Sequence, residues 1–326
     1  MIRLLQVELN RLRWRRAVVI LLAAAIVVPV VIFVAVAIET RPAGDAERAR
    51  AEQMMREERE APYIQKELKR CQRQPGQYGV GDGQTCEDLV LPQLEWFLDN
   101  PQLDLRDQVE DGAGIGVAAV LAVLLLLVGT TFVGHDWNTG SMGNQLLFES
   151  RRTRVWLAKG AAVLGTSVVV AGLVLFSYWG GLLALAHSRD LPVPDGVVGD
   201  VYGQALRATL LAAVAGLAGY LLTMLFRSTV ATLGALFATA VAVPILFSVF
   251  TFPGHISLQP QNNGWALISG GIEITDYDDE KCWDDPADTD GCIVDISTAD
   301  ASLYFGVLLG AVGVPSLLLY RRRDVP

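Results

Sequence analysis

Charge is nearly missing from the long apolar stretches of this chain, and that absence removes whole classes of function. Glu39 and Arg207 fall only near the expected ends of such stretches, where a long side chain reaches the interface at little cost. Carriers driven by protons or sodium need carboxylates, histidines or broken helices near the bilayer midplane, and none stands there. Histidine is scarce, with three in 326 residues, and no H-E-x-x-H metal motif occurs. His135–Asp136 is the one acid–base neighbour pair worth weighing. Adjacent helical residues point about 100° apart, so capping or partner contact suits it better than a dyad. There is no nucleophile elbow and no G-x-x-x-x-G-K-[ST] phosphate loop, so the chain does not hydrolyse ATP in the usual way. An enzyme acting alone is not expected.

What the chain has instead is apolar residues, 52% of the total, with a mean hydropathy of +0.37. They gather in six blocks, Ala17–Ile38, Ala113–Val133, Val155–Ala186, Gln204–Phe226, Thr229–Thr251 and Ser302–Tyr320. Each reaches or exceeds the roughly 20 residues that a helix needs to cross a bilayer. Helix is the expected state, because lipid offers no partner to an unpaired backbone amide. The expectation is an all-α membrane protein. The third block is long enough to require tilt, or an interfacial first turn around Trp156. The first resembles a signal peptide in its flanking arginines and Ala35–Val36–Ala37. Its apolar core of about 22 residues is too long for that, and it reads as an uncleaved anchor. Pro29, Pro244 and Pro315 are expected to kink spans one, five and six.

Basic residues set the expected orientation. Arg3, Arg11, Arg13, Arg15 and Arg16 precede span one, Arg227 sits between spans four and five, and Arg321–Arg323 follow span six. Both termini are therefore expected in the cytosol. The layout is an interfacial helix at 1–16, spans at 17–38, 113–133, 155–186, 204–226, 229–251 and 302–320, and a tail at 321–326. Outer segments take 39–112, 187–203 and 252–301, and cytosolic segments 134–154 and 227–228. Ile2, Leu5, Leu9 and Leu12 recur at helical spacing, which suits a helix lying in the interface. The net charge of −9 hides this asymmetry, because the acids crowd the outer segments.

The four cysteines all fall in outer segments and read as two disulfides, with Cys71–Cys86 and Cys282–Cys292 the simplest of three connectivities. Zinc would need more ligands at metal spacing. In the first outer segment, Asp45–Cys71 is rich in helix formers with a break at Pro62, Gln74–Thr85 is glycine-rich, and Leu89–Asp99 suggests a second short helix. In the second, Pro253–Gly254 and Asn262–Asn263–Gly264 signal turns. Its Asp288–Thr289–Asp290–Gly291 fragment lacks the full ligand set of a calcium loop.

The most informative stretch is the polar island Gly134–Gly160. An acid and an aromatic, Asp136 and Trp137, precede the turn Gly140–Ser141. A short helix over Asn138–Phe148 carries Met142 and the pair Leu146–Leu147. Arg151, Arg152 and Arg154 follow, and Lys159 opens the next span. This order resembles the loop between spans two and three of ABC-2 type transporter permeases of high-GC bacteria. It departs in having Asp136 where glutamate is commoner, and Glu149–Ser150 where a proline often stands. The resemblance extends to the N-terminal helix, the six spans and the large segment after span one. It implies a coupling helix docking on a separate ATP-binding subunit. Trp137, Met142, Leu146, Leu147 and Phe148 would be its apolar anchors, with Asp136, Arg151, Arg152 and Arg154 as a charged rim. It further implies a permease in the bacterial plasma membrane, dimeric with a like or unlike permease chain. ATP and magnesium would be held by the partner ATPase, no cofactor by this chain, and nucleic acid would play no part. The low intramembrane charge favours a lipid-like, amphipathic or peptide cargo. Two rivals stand beside this reading: a six-span signalling or mechanotransmission partner of an ATPase, and an ion-coupled carrier or channel.

Overall fold

The computed structural model describes residues 2–78, 85–98, 100, 102–110, 112–250, 254–276 and 293–322. Among them, six helices are long and apolar enough to cross a membrane. They include α2 (Arg16–Glu39), α7 (Ala113–Asn138), α9 (Arg152–Ser188), α10 (Val197–Phe226), α11 (Thr229–Val249) and α13 (Thr298–Arg322). An amphipathic helix α1 (Ile2–Arg13) precedes them. The chain is thus a multi-pass membrane protein of helical architecture. Helices α2, α11 and α13 run on through Pro29, Pro244 and Pro315, and α9 is one continuous helix of 37 residues.

Two compact units divide the chain. One comprises Met1–Phe33, Leu105–Ala184 and Val193–Pro326, and the other Val34–Asp104 with Leu185–Pro192. In the first, α10 is the central helix, packed against α7, α11, α13, α12 (Pro260–Ser269) and α6 (Leu105–Glu110). Its approach to α7 depends on missing side chains. A Cβ on Gly129 would strike the Gly216 carbonyl, and one on Gly219 the Leu126 carbonyl. Helices in lipid gain from such backbone contact because apolar burial alone favours no partner over lipid. Tyr220, fully buried on α10, satisfies its hydroxyl by donating to the Trp156 carbonyl at 2.6 Å. By contrast α11 and α13 keep large apolar side chains bare, such as Val230, Phe237 and Val307.

The segment expected as an acidic loop after span five is more ordered. It holds α12 and two antiparallel strands, β1 (Ile272–Thr275) and β2 (Ile293–Ile296), paired Ile272 to Ile296 and Thr275 to Ile293. The expected turn at Asn262–Asn263–Gly264 lies instead inside α12. There Asn262 and Asn263 donate back to the carbonyls of Ile256, Ser257 and Gln259 and brace the helix start. Local side-chain bonding of this sort marks helix starts as often as turns. Arg207 donates to the carbonyls of Ile268 and Ser269 at 3.0 and 3.2 Å, so a cation caps the C-terminus of α12. Cys282, Cys292 and the calcium-like fragment at 288–291 lie outside the described residues.

The second unit contains α3 (Asp45–Glu60), α4 (Pro62–Arg73) and α5 (Cys86–Val90). Pro62 opens α4, where its missing N–H costs nothing. Cys71 and Cys86 are joined, with Cα atoms 5.8 Å apart, and Cys71 and Ala51 are fully buried. The expected single helix over Leu89–Asp99 is broken. Leu91 is extended because Pro92 follows it, and only a short 3-10 turn, Leu94–Phe97, resumes. Arg189 donates to the carbonyls of Ala37 and Thr40 at 2.7 and 2.6 Å, capping the last turn of α2.

Candidate functional site

Four segments of the first unit meet around a cluster of buried charge. Helix α7 stays helical to Asn138. Gly140 then takes a left-handed conformation (φ 68°), which reverses the chain at little steric cost into α8 (Ser141–Phe148). Helix α9 begins at Arg152, after the three residues 149–151 that follow α8. Helix α1 lies against this junction through the face that carries Glu8, Arg11 and Leu12.

At the centre are Glu8 of α1, Asp136 of α7 and Lys159 of α9, each with a relative exposure of 0%. The Lys159 ammonium lies 2.8 Å from Glu8 Oε2 and 2.6 Å from Asp136 Oδ2, donating to both. Arg11 donates to Asp136 Oδ1 at 2.9 Å and to Gln145 Oε1 of α8 at 3.0 Å, and also reaches Ser141. Arg15 donates to Asp136 and to the Phe132 carbonyl, with its guanidinium 4.8 Å from the Phe132 ring centre. Gln145 donates to Glu8. Three cations against two carboxylates leave one net positive charge, and the two less buried cations, Arg11 and Arg15, hold the solvent side. Burying ions is expensive unless each finds several partners, and here each does. The arrangement therefore fixes α1, α7, α8 and α9 to one another rather than leaving a reactive group free.

The residues expected to dock a partner separate into two sets. Asp136 is no rim residue, because it is the buried hub of the cluster. His135 stays exposed on α7 and makes no dyad with it. Trp137 turns inward, edge-on to Tyr320 at 6.3 Å and beneath the Arg227 guanidinium at 4.9 Å, and its buried indole N–H has no hydrogen-bond partner. Met142 is 1% exposed and receives the Tyr320 hydroxyl at 3.5 Å. Leu146 is half-buried and Gly140 makes the turn. Leu147 and Phe148 are the bare ones, at 82% and 94% exposure, with Arg151 and Arg154 exposed just beyond. Arg152 donates to the carbonyls of Tyr320 and Arg321 at 3.2 and 3.3 Å. The last turn of α13 therefore meets the start of α9 and the inner face of α8. The near-terminal segments α1 and the end of α13 share one end of the unit with α8.

Glu8 escapes a reading of motifs, although it carries a signal. It stands three residues after Leu5 and four before Leu12, on the apolar stripe of α1, where an unpaired acid would be misplaced. Among the described residues no group of three or more His, Cys, Asp or Glu is placed to hold a metal. No family model, curated protein or solved structure matches this chain.

Proposed function

We propose that this chain is the membrane-spanning subunit of an ABC-2 type exporter in a bacterial plasma membrane, with both termini and α8 in the cytosol. A separate ATPase chain, carrying ATP and magnesium, docks on α8. The observation that carries the reading is the pair Leu147 and Phe148, left bare at the tip of a helix whose other side is braced by buried ions. A short helix with two exposed apolar side chains and an arginine edge has the chemistry of a transient protein interface. Its anchorage matters equally. A push on α8 passes through Gln145 to Glu8 and Arg11, and so to the ends of α7 and α9. Closure of an ATPase pair would move the spans through that connection, with a second permease chain, like or unlike, completing the transporter.

The disulfide-closed helical unit of Val34–Asp104 favours a second reading, in which ATP cycles move that unit to signal and nothing crosses the membrane. Co-expression with an ATP-binding subunit, sought in a neighbouring reading frame that carries a phosphate loop, tests the first. Leu147→Asp together with Phe148→Asp is expected to abolish co-purification while the chain still inserts and elutes as the native protein does. Retention of the ATPase by that variant would overturn docking on α8. ATP hydrolysis without movement of any cargo in vesicles would shift the conclusion to signalling.

A further inference from the structure

Three arginines at the start of the chain lie outside the charge cluster. Arg11 and Arg15 are engaged with Asp136, whereas Arg3, Arg13 and Arg16 are exposed and form no ion pair among the described residues. The one acid of α1, Glu8, is fully buried against Lys159, so no carboxylate of this helix offsets them. The apolar stripe expected at Ile2, Leu5, Leu9 and Leu12 divides as well. Leu12 is buried in the protein, while Ile2 and Leu9, seven positions apart and so on one edge of the helix, stay bare beside the arginines. Trp14, in the turn between α1 and α2, is 77% exposed, with the Arg13 guanidinium 5.6 Å from its ring centre. Helix α2 is a candidate span that begins at Arg16, so this edge stands within a few residues of the point where the chain enters the apolar phase. At such a border a tryptophan ring sits at headgroup level, and basic side chains meet the negative surface of anionic lipid. Charge also argues against a second copy as the occupant. Arg151 and Arg154 around the start of α9, and Arg321 and Arg322 in the last turn of α13, are exposed at the same end of the unit, and two such ends would repel.

We propose that this edge of α1 binds the headgroups of anionic phospholipids, with Arg3, Arg13 and Arg16 on their phosphates and Ile2, Leu9 and Trp14 among the first acyl carbons. The guanidinium fork matches phosphate oxygens, which suits arginine to this task. The inner edge of the same helix holds Lys159 through Glu8 and Asp136 through Arg11 and Arg15, so bound lipid fixes the charge cluster at the membrane surface. The site needs a bilayer but no ATPase, and stands or falls apart from the exporter reading. The test places the full chain in phosphatidylcholine nanodiscs with a trace of either phosphatidylglycerol or phosphatidylcholine that carries a diazirine on its first acyl carbons. Labelled residues are mapped by mass spectrometry. Residues 2–16 are expected to take several-fold more label from the phosphatidylglycerol probe, with a ratio near one at Phe237 and Val241 on the bare face of α11. Each arginine near an anionic surface is worth about five-fold in binding. Arg3→Gln with Arg13→Gln and Arg16→Gln should therefore bring the ratio at 2–16 close to one, with an unchanged elution profile. Equal label from the two probes on the native chain would overturn the proposal, and that comparison needs no variant to fold. A triple variant that keeps the native ratio would overturn the role of these arginines. Loss of the ratio on adding millimolar glycerol phosphate, which carries the charge without acyl chains, would show a site for a soluble anion and overturn the lipid.

Discussion

Asp136 holds three cations on one carboxylate, Lys159, Arg11 and Arg15, whereas Glu8 faces two, Lys159 and Arg11. That inequality makes a prediction. Asp136→Asn leaves three positive charges against Glu8 alone at a site closed to water, and should cost about 3–5 kcal/mol. Glu8→Gln should cost less, because Asp136 still pairs all three cations. Thermal unfolding in detergent should therefore rank native above Glu8→Gln above Asp136→Asn, and equal midpoints for all three would contradict the cluster. Trp137 and Phe148 separate in the same way. Trp137→Ala removes packing against Tyr320 and Arg227 and should lower stability, while Phe148→Asp should leave it unchanged. The individual residues of this loop were legible in the sequence as a polar and aromatic set, but their directions were not. Lys159 and Glu8 are 151 positions apart, and no local spacing reports such a pairing.

Among the elements, the six spans are readable because lipid demands long unbroken apolar helices, and the blocks state their own lengths. Short elements depend on neighbours. Pro92 splits the helix expected at Leu89–Asp99, and β1 and β2 form only because Ile293–Ile296 returns to Ile272–Thr275. The contact between α7 and α10 is equally hidden, since glycine in a membrane helix reads as filler until its partner is placed. Gly219→Leu drives a side chain into the Leu126 carbonyl and should destabilise the protein by about 1–3 kcal/mol, read as an earlier loss of monodisperse elution on heating. In the second unit the Cys71–Cys86 bridge spans 15 positions, for which chain entropy gives about 3 kcal/mol. Cys71→Ser with Cys86→Ser should raise hydrogen exchange over 45–98 and leave the first unit as protected as before. Uniform loss of protection, or none, would contradict a unit with a thin core of its own.

Across the whole molecule, the charge asymmetry, the shared end of α1, α8 and α13, and the bare tip of α8 support one reading, a permease waiting for a motor. Composition makes the membrane class plain, and the proposed reading assigns ATP hydrolysis to another chain. The cargo leaves no mark in composition, because a path for lipid or peptide needs shape more than chemistry. The central claim is that the tip of α8 touches the ATPase. A photo-crosslinking amino acid at Phe148, in cells making this chain and its proposed ATP-binding partner, tests that contact directly. The account predicts a covalent adduct between the two chains, absent when the same probe replaces Phe237 on the bare face of α11. Label from Phe148 found on lipid alone would contradict it.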